Sequence, residues 1–239
     1  MSRLKMDRNR EFYFMHCCEQ MEIELISTFQ LLNYSAKVRE YSFAIPNSST
    51  CMLLDYCVFC GMHLPDSLRY EWFWFLEYVY KIDGSLDEDN QNIPKDFLTD
   101  EWWKSRNLTD EAVRDEIRMA MLKDDSDEWH EKIKREQVRK KNILNYNGPH
   151  CCLTMDAGIS RGFGILYYIP QLREYQIQSV GFLVLDFCPF CGKKEPQSLR
   201  KKWLEILKED YGLVDPLKKD QKKVPQEFLT DEWWRERGL

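Results

Sequence analysis

The sequence predicts an α+β protein: two tandem copies of one small domain, each a short antiparallel sheet plus a helix, joined by a charged helical linker. Three observations predict it. The same ordered series of short motifs occurs twice along the 239 residues. Each series contains short runs rich in aromatic and β-branched residues, bounded by Gly and Pro. Each then passes into a stretch whose apolar residues recur at helical spacing.

The repeat is explicit. His16-Cys17-Cys18 returns as His150-Cys151-Cys152, 134 residues later, and Arg39-Glu40-Tyr41 returns as Arg173-Glu174-Tyr175 at the same offset. Leu54 to Gly61 returns as Leu185 to Gly192, now at an offset of 131 residues. Ser67-Leu68-Arg69 and Trp72 return as Ser198-Leu199-Arg200 and Trp203, and Phe97 to Trp103 returns as Phe228 to Trp234. Repetition in order at a nearly fixed period is the mark of duplicated structural units. Copy one holds three extra residues between Tyr41 and Cys57, read as a longer hairpin turn around residues 46–49. The domains are expected at residues 11–108 and 148–239, with the linker at 109–147.

Within each copy the elements follow in order. Strands are clearest in copy two, at 163–169, 175–178 and 180–187. A helix then follows Pro65 or Pro196. Its apolar face is Leu68, Trp72, Phe75, Leu76 and Val79 in copy one, and Leu199, Trp203, Ile206, Leu207 and Tyr211 in copy two. Gly84 and Gly212 are the expected stops. A short turn capped by Thr99 or Thr230 closes each copy. In the linker, Thr109 is expected to cap a helix bearing Ala112, Val113, Ile117 and Met121. A second helix, about 128–142, carries Trp129 and Ile133. The basic residues between Lys134 and Lys141 fall on several sides of it and read as a solvated face.

Composition narrows the function classes. Hydrophobic residues make up 44% of the chain and aromatic residues 14%, enough for a packed core. No apolar run is long enough to span a bilayer, and the polar N-terminus has no secretory pattern, so a cytoplasmic protein without membrane contact is expected. The net charge of −6 is uneven. Residues 1–108 carry 11 Lys and Arg against 17 Asp and Glu, whereas residues 148–239 carry 14 against 13. Affinity for phosphate backbones comes from Lys and Arg displacing counterions, so this balance disfavours nucleic acid.

Nine cysteines in a cytosolic chain point to metal ligands or catalytic thiols rather than disulfides. A C-x-x-C-G turn lets two thiolates converge on one ion, and its Gly permits the tight backbone behind them. A tetrahedral ion needs two more ligands per copy, and only the HCC turn recurs to supply them. The expected metal ligands are Cys17, Cys18, Cys57 and Cys60 in copy one, and Cys151, Cys152, Cys188 and Cys191 in copy two. Zinc is the expected ion, about two per chain. Thiolates dominate structural sites of this kind. Pairing of His16 with Cys18 stays open, because adjacent residues of an extended chain point opposite ways. A redox role for C-x-x-C is disfavoured, since such pairs sit at a helix N-terminus and here the helix begins later. Cys51 occurs in copy one only and reads as a buried free thiol. His63 and His130 read as surface histidines.

Trp72 and Trp203 are core residues by their place on the helix face. Of Trp102-Trp103 and Trp233-Trp234, one ring of each pair is expected inside and the other partly exposed as an anchor for a partner. Full cover by the linker helices is the competing reading.

Together, HCC-x-x-M, C-P-F-C-G, S-L-R-x-x-W and F-L-T-D-E-W-W resemble a small bacterial zinc-ribbon-like family of uncharacterised function. The resemblance covers nearly all of both copies and omits the linker; copy one has Val58 where the pattern has Pro. It implies bacterial origin and a metal site at these cysteines, and it implies no activity. By size, acidity and compactness such proteins are similar to immunity or adaptor proteins of bacterial toxin systems. The sequence therefore leads to a non-enzymatic zinc protein that binds a protein partner, a toxin being one candidate. A zinc-ribbon nucleic-acid binder using Arg200-Lys201-Lys202, Lys218-Lys219 and Lys222-Lys223 is the alternative. A hydrolase using His16 or His150 at an open zinc ranks third.

Overall fold

The computed structural model describes residues 16–27, 31–45, 48, 50–82, 92–123, 131, 133–135, 138, 146–160, 164–178 and 181–239. Copy one opens with helix α1 (Glu19–Ile26), directly after the HCC turn. A three-stranded sheet follows: β1 (Leu32–Ser35), β2 (Glu40–Ala44) and β3 (Cys51–Leu53). Copy two repeats this with α5 (Leu153–Ser160), β4 (Leu166–Ile169), β5 (Glu174–Gln178) and β6 (Phe182–Val184). Both sheets are antiparallel meanders in sequence order. Their registers match residue for residue: Leu32 faces Phe43 and Tyr34 faces Tyr41, as Leu166 faces Ile177 and Tyr168 faces Tyr175. The three residues by which the copies differ fall between the second and third strands. That connection spans residues 45–50 in copy one and 179–181 in copy two.

Alternation puts Phe43 and Ile177 on the buried face, and Met21 and Met155 pack under it from the helices. These residues form a single apolar cluster that runs from one copy into the other and includes Cys57, Val58, Cys188 and Phe190. The two sheets therefore share one core.

A second core in each copy sits behind the sheet. Helix α2 (Arg69–Trp74) passes into a π-helical turn (Phe75–Val79), and its counterpart α6 (Arg200–Glu209) stays α-helical. Leu68, Trp72 and Leu76 are buried as the periodicity requires, but Val79 and Tyr211 are exposed. The π turn rotates Val79 off the apolar face, and Tyr211 lies past the last turn of α6, next to Gly212 at φ +66°. Gly84 lies outside the described residues.

Each copy ends in a five-residue helix, α3 (Glu101–Ser105) or α7 (Glu232–Glu236). Thr99 and Thr230 start them as expected, each hydroxyl accepting the backbone N–H two residues on. The tryptophan pairs divide between the two expectations. Trp102 and Trp103 are both buried in copy one; in copy two Trp233 is buried and Trp234 half-buried. The short helix crosses the β1–β2 turn, so both indoles reach inward and donate to carbonyls of that turn. Trp102 Nε1 bonds Lys37 O (2.6 Å) and Trp103 Nε1 bonds Ala36 O (2.8 Å). Trp233 and Trp234 do the same to Gln171 O and Pro170 O. A buried indole N–H needs such a partner, and here both rings of the pair find one on the same turn.

That turn ends in Arg39 or Arg173, each at φ 52°, a left-handed conformation rare for a side chain with a Cβ. The guanidinium compensates. Arg39 donates through Nε and Nη2 to Asp66 O and lies over the Trp103 ring; Arg173 donates to Gln197 O and lies over Trp234. The next residue, Glu40 or Glu174, is buried and pairs with the S-L-R motif. Arg200 donates to Glu174 through Nη2 (2.6 Å) and Nε (3.0 Å), and Ser198 Oγ also donates to it. Arg69 and Ser67 hold Glu40 likewise. Two motifs far apart in sequence are thus one buried cluster.

The stretch read as linker is partly structural. Helix α4 (Glu111–Lys123) packs on copy one, with Val113 and Ile117 against the tryptophan core and Met121 buried. Its cap is Asp110, whose Oδ1 accepts from Ala112 N, rather than Thr109. Arg118 Nε bonds the fully buried Glu71 at 2.8 Å, and Arg114 pairs with Asp66. Glu71 corresponds to the exposed Lys202 of copy two, so α4 covers a face that copy two leaves open. Of the second linker helix, residues 131, 133–135 and 138 are described; Lys134 and Arg135 are exposed there. Trp129 and His130 lie outside the described residues.

Breaking a buried ion pair by removing one partner strands the other charge, at about 3–5 kcal/mol for full burial and less where one side is open. Arg200 is partly exposed, so Arg200→Ala is expected to destabilise copy two by about 2–4 kcal/mol in urea unfolding. Replacing both Glu174 and Arg200 with Leu is expected to recover most of that loss. A double variant as unstable as the sum of the singles contradicts this account of the cluster.

Candidate metal centres

Four cysteines converge in each copy: Cys17, Cys18, Cys57 and Cys60 in copy one, and Cys151, Cys152, Cys188 and Cys191 in copy two. In each set all sulfurs lie within 4.8 Å of one another. The pairs Cys18–Cys57 and Cys152–Cys188 stand at 3.8 Å. Four sulfurs held about 2.3 Å from one ion form a tetrahedron with edges of about 3.8 Å. Each set could therefore hold a metal ion.

The local backbone explains the convergence. Cys18 and Cys152 each occupy the residue before a helix, α1 or α5, where the helix dipole favours negative charge. The Cys152 sulfur accepts Met155 N–H at 3.4 Å. The other two cysteines of each set sit on a knuckle after the third strand. Its first sulfur accepts an N–H from two residues on, Phe59 N to Cys57 Sγ and Phe190 N to Cys188 Sγ. The knuckle closes through Gly61 N to Cys57 O and Gly192 N to Cys188 O, both glycines in the left-handed region at φ +74° and +70°. Two ends of the sheet meander thus meet at one point.

Electrostatics shows what a cation would relieve at these sulfurs. Burial pushes the Cys57 thiol up to about 11, and burial with the neighbouring cysteines also raises Cys17. In copy two the adjacent sulfurs of Cys152, Cys188 and Cys191 push Cys151 up, while the same contacts hold Cys191 down. Four thiols this close cannot all ionise beside one another; a divalent ion removes the repulsion.

Neither HCC histidine joins a cluster. His16 Nδ1 lies 2.7 Å from Tyr41 Oη and His150 Nδ1 lies 3.0 Å from Tyr175 Oη. Each imidazole stands edge-on to two tyrosines, Tyr34 and Tyr41 or Tyr168 and Tyr175. Burial lowers both histidines. The turn is held from α1 in copy one, where Glu22 accepts His16 N–H at 2.7 Å. Cys51 stands apart from the clusters and is exposed, which corrects its reading as a buried thiol: it opens β3, where its side chain points away from the core. His63 is exposed as expected.

Two features escaped sequence reading. Glu195 is buried, its Oε1 3.3 Å from Cys151 Sγ, and desolvation raises it to about 7. It occupies the place of Leu64, so only a comparison of the two copies singles it out. The second is the role of the position after the first knuckle cysteine, Val58 or Pro189, which the sequence marked only by its departure from Pro in copy one. Val58 O accepts N–H bonds from Asp186 and Phe187, and Pro189 O accepts them from Asp55 and Tyr56, all at 2.8–3.0 Å. The knuckles of the two copies are therefore crossed against each other. Both side chains are buried there, and the position is used through its carbonyl and its apolar bulk, which explains why Val and Pro both serve.

Equivalent clefts flank the two sheets, lined among others by Leu54, Asp55 and Arg69 in copy one and by Leu185, Asp186 and Arg200 in copy two. The Ser67 and Ser198 hydroxyls that face them donate to Glu40 and Glu174, carboxylates already paired with arginine.

Fold and site together define a protein made of two paired α+β domains, each with a four-cysteine cluster able to hold a metal ion. The chain matches the family described as Domain of unknown function (DUF6980) over residues 9–105 and 163–236, and it belongs to that family. No curated protein and no solved structure shows a significant match.

Elemental analysis of the purified chain is expected to give about two metal ions per molecule, since four thiolates fill a tetrahedral site. Cys188→Ser is expected to lower the melting temperature of the chain far more than Cys51→Ser. The first removes one of four clustered sulfurs, and an ion held by such a set contributes roughly 10–16 kcal/mol of binding energy to folding in comparable sites. The second alters an exposed side chain. Equal losses for the two variants would contradict this assignment.

Proposed function

We propose that this is a non-enzymatic zinc protein whose two four-thiolate centres hold its architecture and which acts by binding another protein. The observation that carries the reading is the gathering of eight cysteines into two closed sets of four. Zinc is the ion these sites suit best: it takes four thiolates in a tetrahedron, has no redox chemistry and keeps no open position once four protein ligands are bound. The histidines of the HCC turns, engaged by tyrosines, are placed to orient the turn rather than to activate water.

The surfaces support a binding role. The acidic first copy suits a basic partner. Exposed apolar side chains are available on α1 (Ile23 and Ile26) and on β6 (Phe182), and Trp234 remains half-open. A toxin-neutralising immunity or adaptor role is one concrete form of this reading. The charge pattern argues against nucleic acid. In copy two, Arg200 is committed to Glu174, Lys202 lies near Glu205 and Lys223 pairs with Asp220. Among the described residues no helix is long and apolar enough to cross a membrane.

The test has two arms. Fluorescence titration against random duplex DNA and RNA at about 150 mM salt is expected to show no micromolar binding. Affinity capture from the native host followed by reconstitution with purified components is expected to give a defined protein complex, weakened by Trp234→Ala if that ring is an anchor. Micromolar duplex binding without a reconstituted protein complex would overturn the proposal.

A further inference from the structure

We propose that the two metal sites fill cooperatively, an ion in either copy raising the affinity of the other through the crossed knuckles. This rests on the metal reading above and adds to it a coupling between sites.

The geometry places the coupling on the ligand loops themselves. The N–H groups that bond Pro189 O belong to Asp55 and Tyr56, immediately before Cys57. Those that bond Val58 O belong to Asp186 and Phe187, immediately before Cys188. Each knuckle thus presents the carbonyl that fixes the approach to the first knuckle ligand of the other. The ring contacts are reciprocal too. A Cβ built on Gly61 would meet the Phe187 ring at 2.5 Å, and one on Gly192 would meet the Tyr56 ring at 2.4 Å. Each aromatic ring is therefore seated on the glycine that closes the opposite knuckle. Val58, Cys57 and Cys188 are fully buried in the cluster shared by both copies, so water cannot readily replace the lost partners if one knuckle opens.

A metal-free knuckle has no ion to hold its turn. When copy two is empty, Pro189 O and the Gly192 seat are no longer fixed, and Asp55, Tyr56 and Cys57 lose their preorganisation. Binding in copy two restores them before copy one takes up its ion. Linkage makes the effect reciprocal, and coupling of this kind between sites is commonly 5–150-fold.

Native mass spectrometry of the metal-stripped full chain, given zinc at one ion per chain, reads the distribution directly. Independent equal sites leave about half of the molecules with a single ion, whereas coupling of about tenfold or more leaves mainly empty and doubly loaded chains. In the full chain carrying Tyr56→Ala and Phe187→Ala, which keeps all eight cysteines, the singly loaded species is expected to rise while saturation still gives two ions. A wild-type chain whose singly loaded species is half or more of the total overturns the proposal, and it does so whether or not the double variant folds. A distribution unchanged by the double variant overturns it as well. A chain that takes up no zinc at any concentration instead removes the metal reading itself, so the two failures are distinguishable.

Discussion

The arrangement depends on the crowding of four thiols at one point in each copy. Each cluster joins the HCC turn ahead of the first helix to the knuckle behind the third strand, across a sheet of only three short strands. Small scaffolds commonly add a metal to a limited core. The sulfurs supply a site that could hold a metal ion, and their mutual repulsion on ionisation is what such an ion would relieve. Zinc binding and folding are then, on the proposed reading, one free-energy term.

Around that point the fold is braced by polar groups used sparingly. The two indoles of each tryptophan pair clasp the β1–β2 turn or its equivalent, the turn ends in a left-handed arginine, and the following glutamate is buried against the S-L-R arginine. These contacts recur in both copies with the same partners. The copies diverge where their surroundings differ. Copy one has the buried Glu71 because α4 brings Arg118 over it; copy two exposes Lys202 at that place. Copy two has Glu195 beside a thiol where copy one has Leu64. Their relation to each other is not that of beads on a string. The crossed knuckles and the shared apolar cluster make the pair the structural unit.

Much of this was legible in the sequence because it is local or repeated. The tandem plan, the meander of strands, the Trp72 and Trp203 helices and the gathering of eight cysteines into two sets all follow from spacing and periodicity. What was not legible is tertiary. Repetition marks Glu40 and Arg69 as special, but it does not say that they meet. A two-residue aromatic pair on a short helix cannot face one way, yet both rings of Trp102-Trp103 are buried because the helix straddles a turn and has structure on both sides. Cys51 looked apolar by residue type, and its place at the start of an edge strand left it exposed. Helix α4 carried the signature of a charged connector because its arginines pair with acids on copy one, a role that no single-element pattern reveals. The knuckle crossing uses backbone carbonyls, which leave almost no trace in side-chain identity beyond Val58 and Pro189.

The central claim is that each centre is a closed set of four thiolates, with His16 and His150 outside it. X-ray absorption at the zinc edge on the purified full chain measures this directly. The account predicts a single shell of four sulfurs at about 2.3 Å and no nitrogen shell. A spectrum that requires a nitrogen ligand at about 2.0 Å would place a histidine on the metal and contradict it.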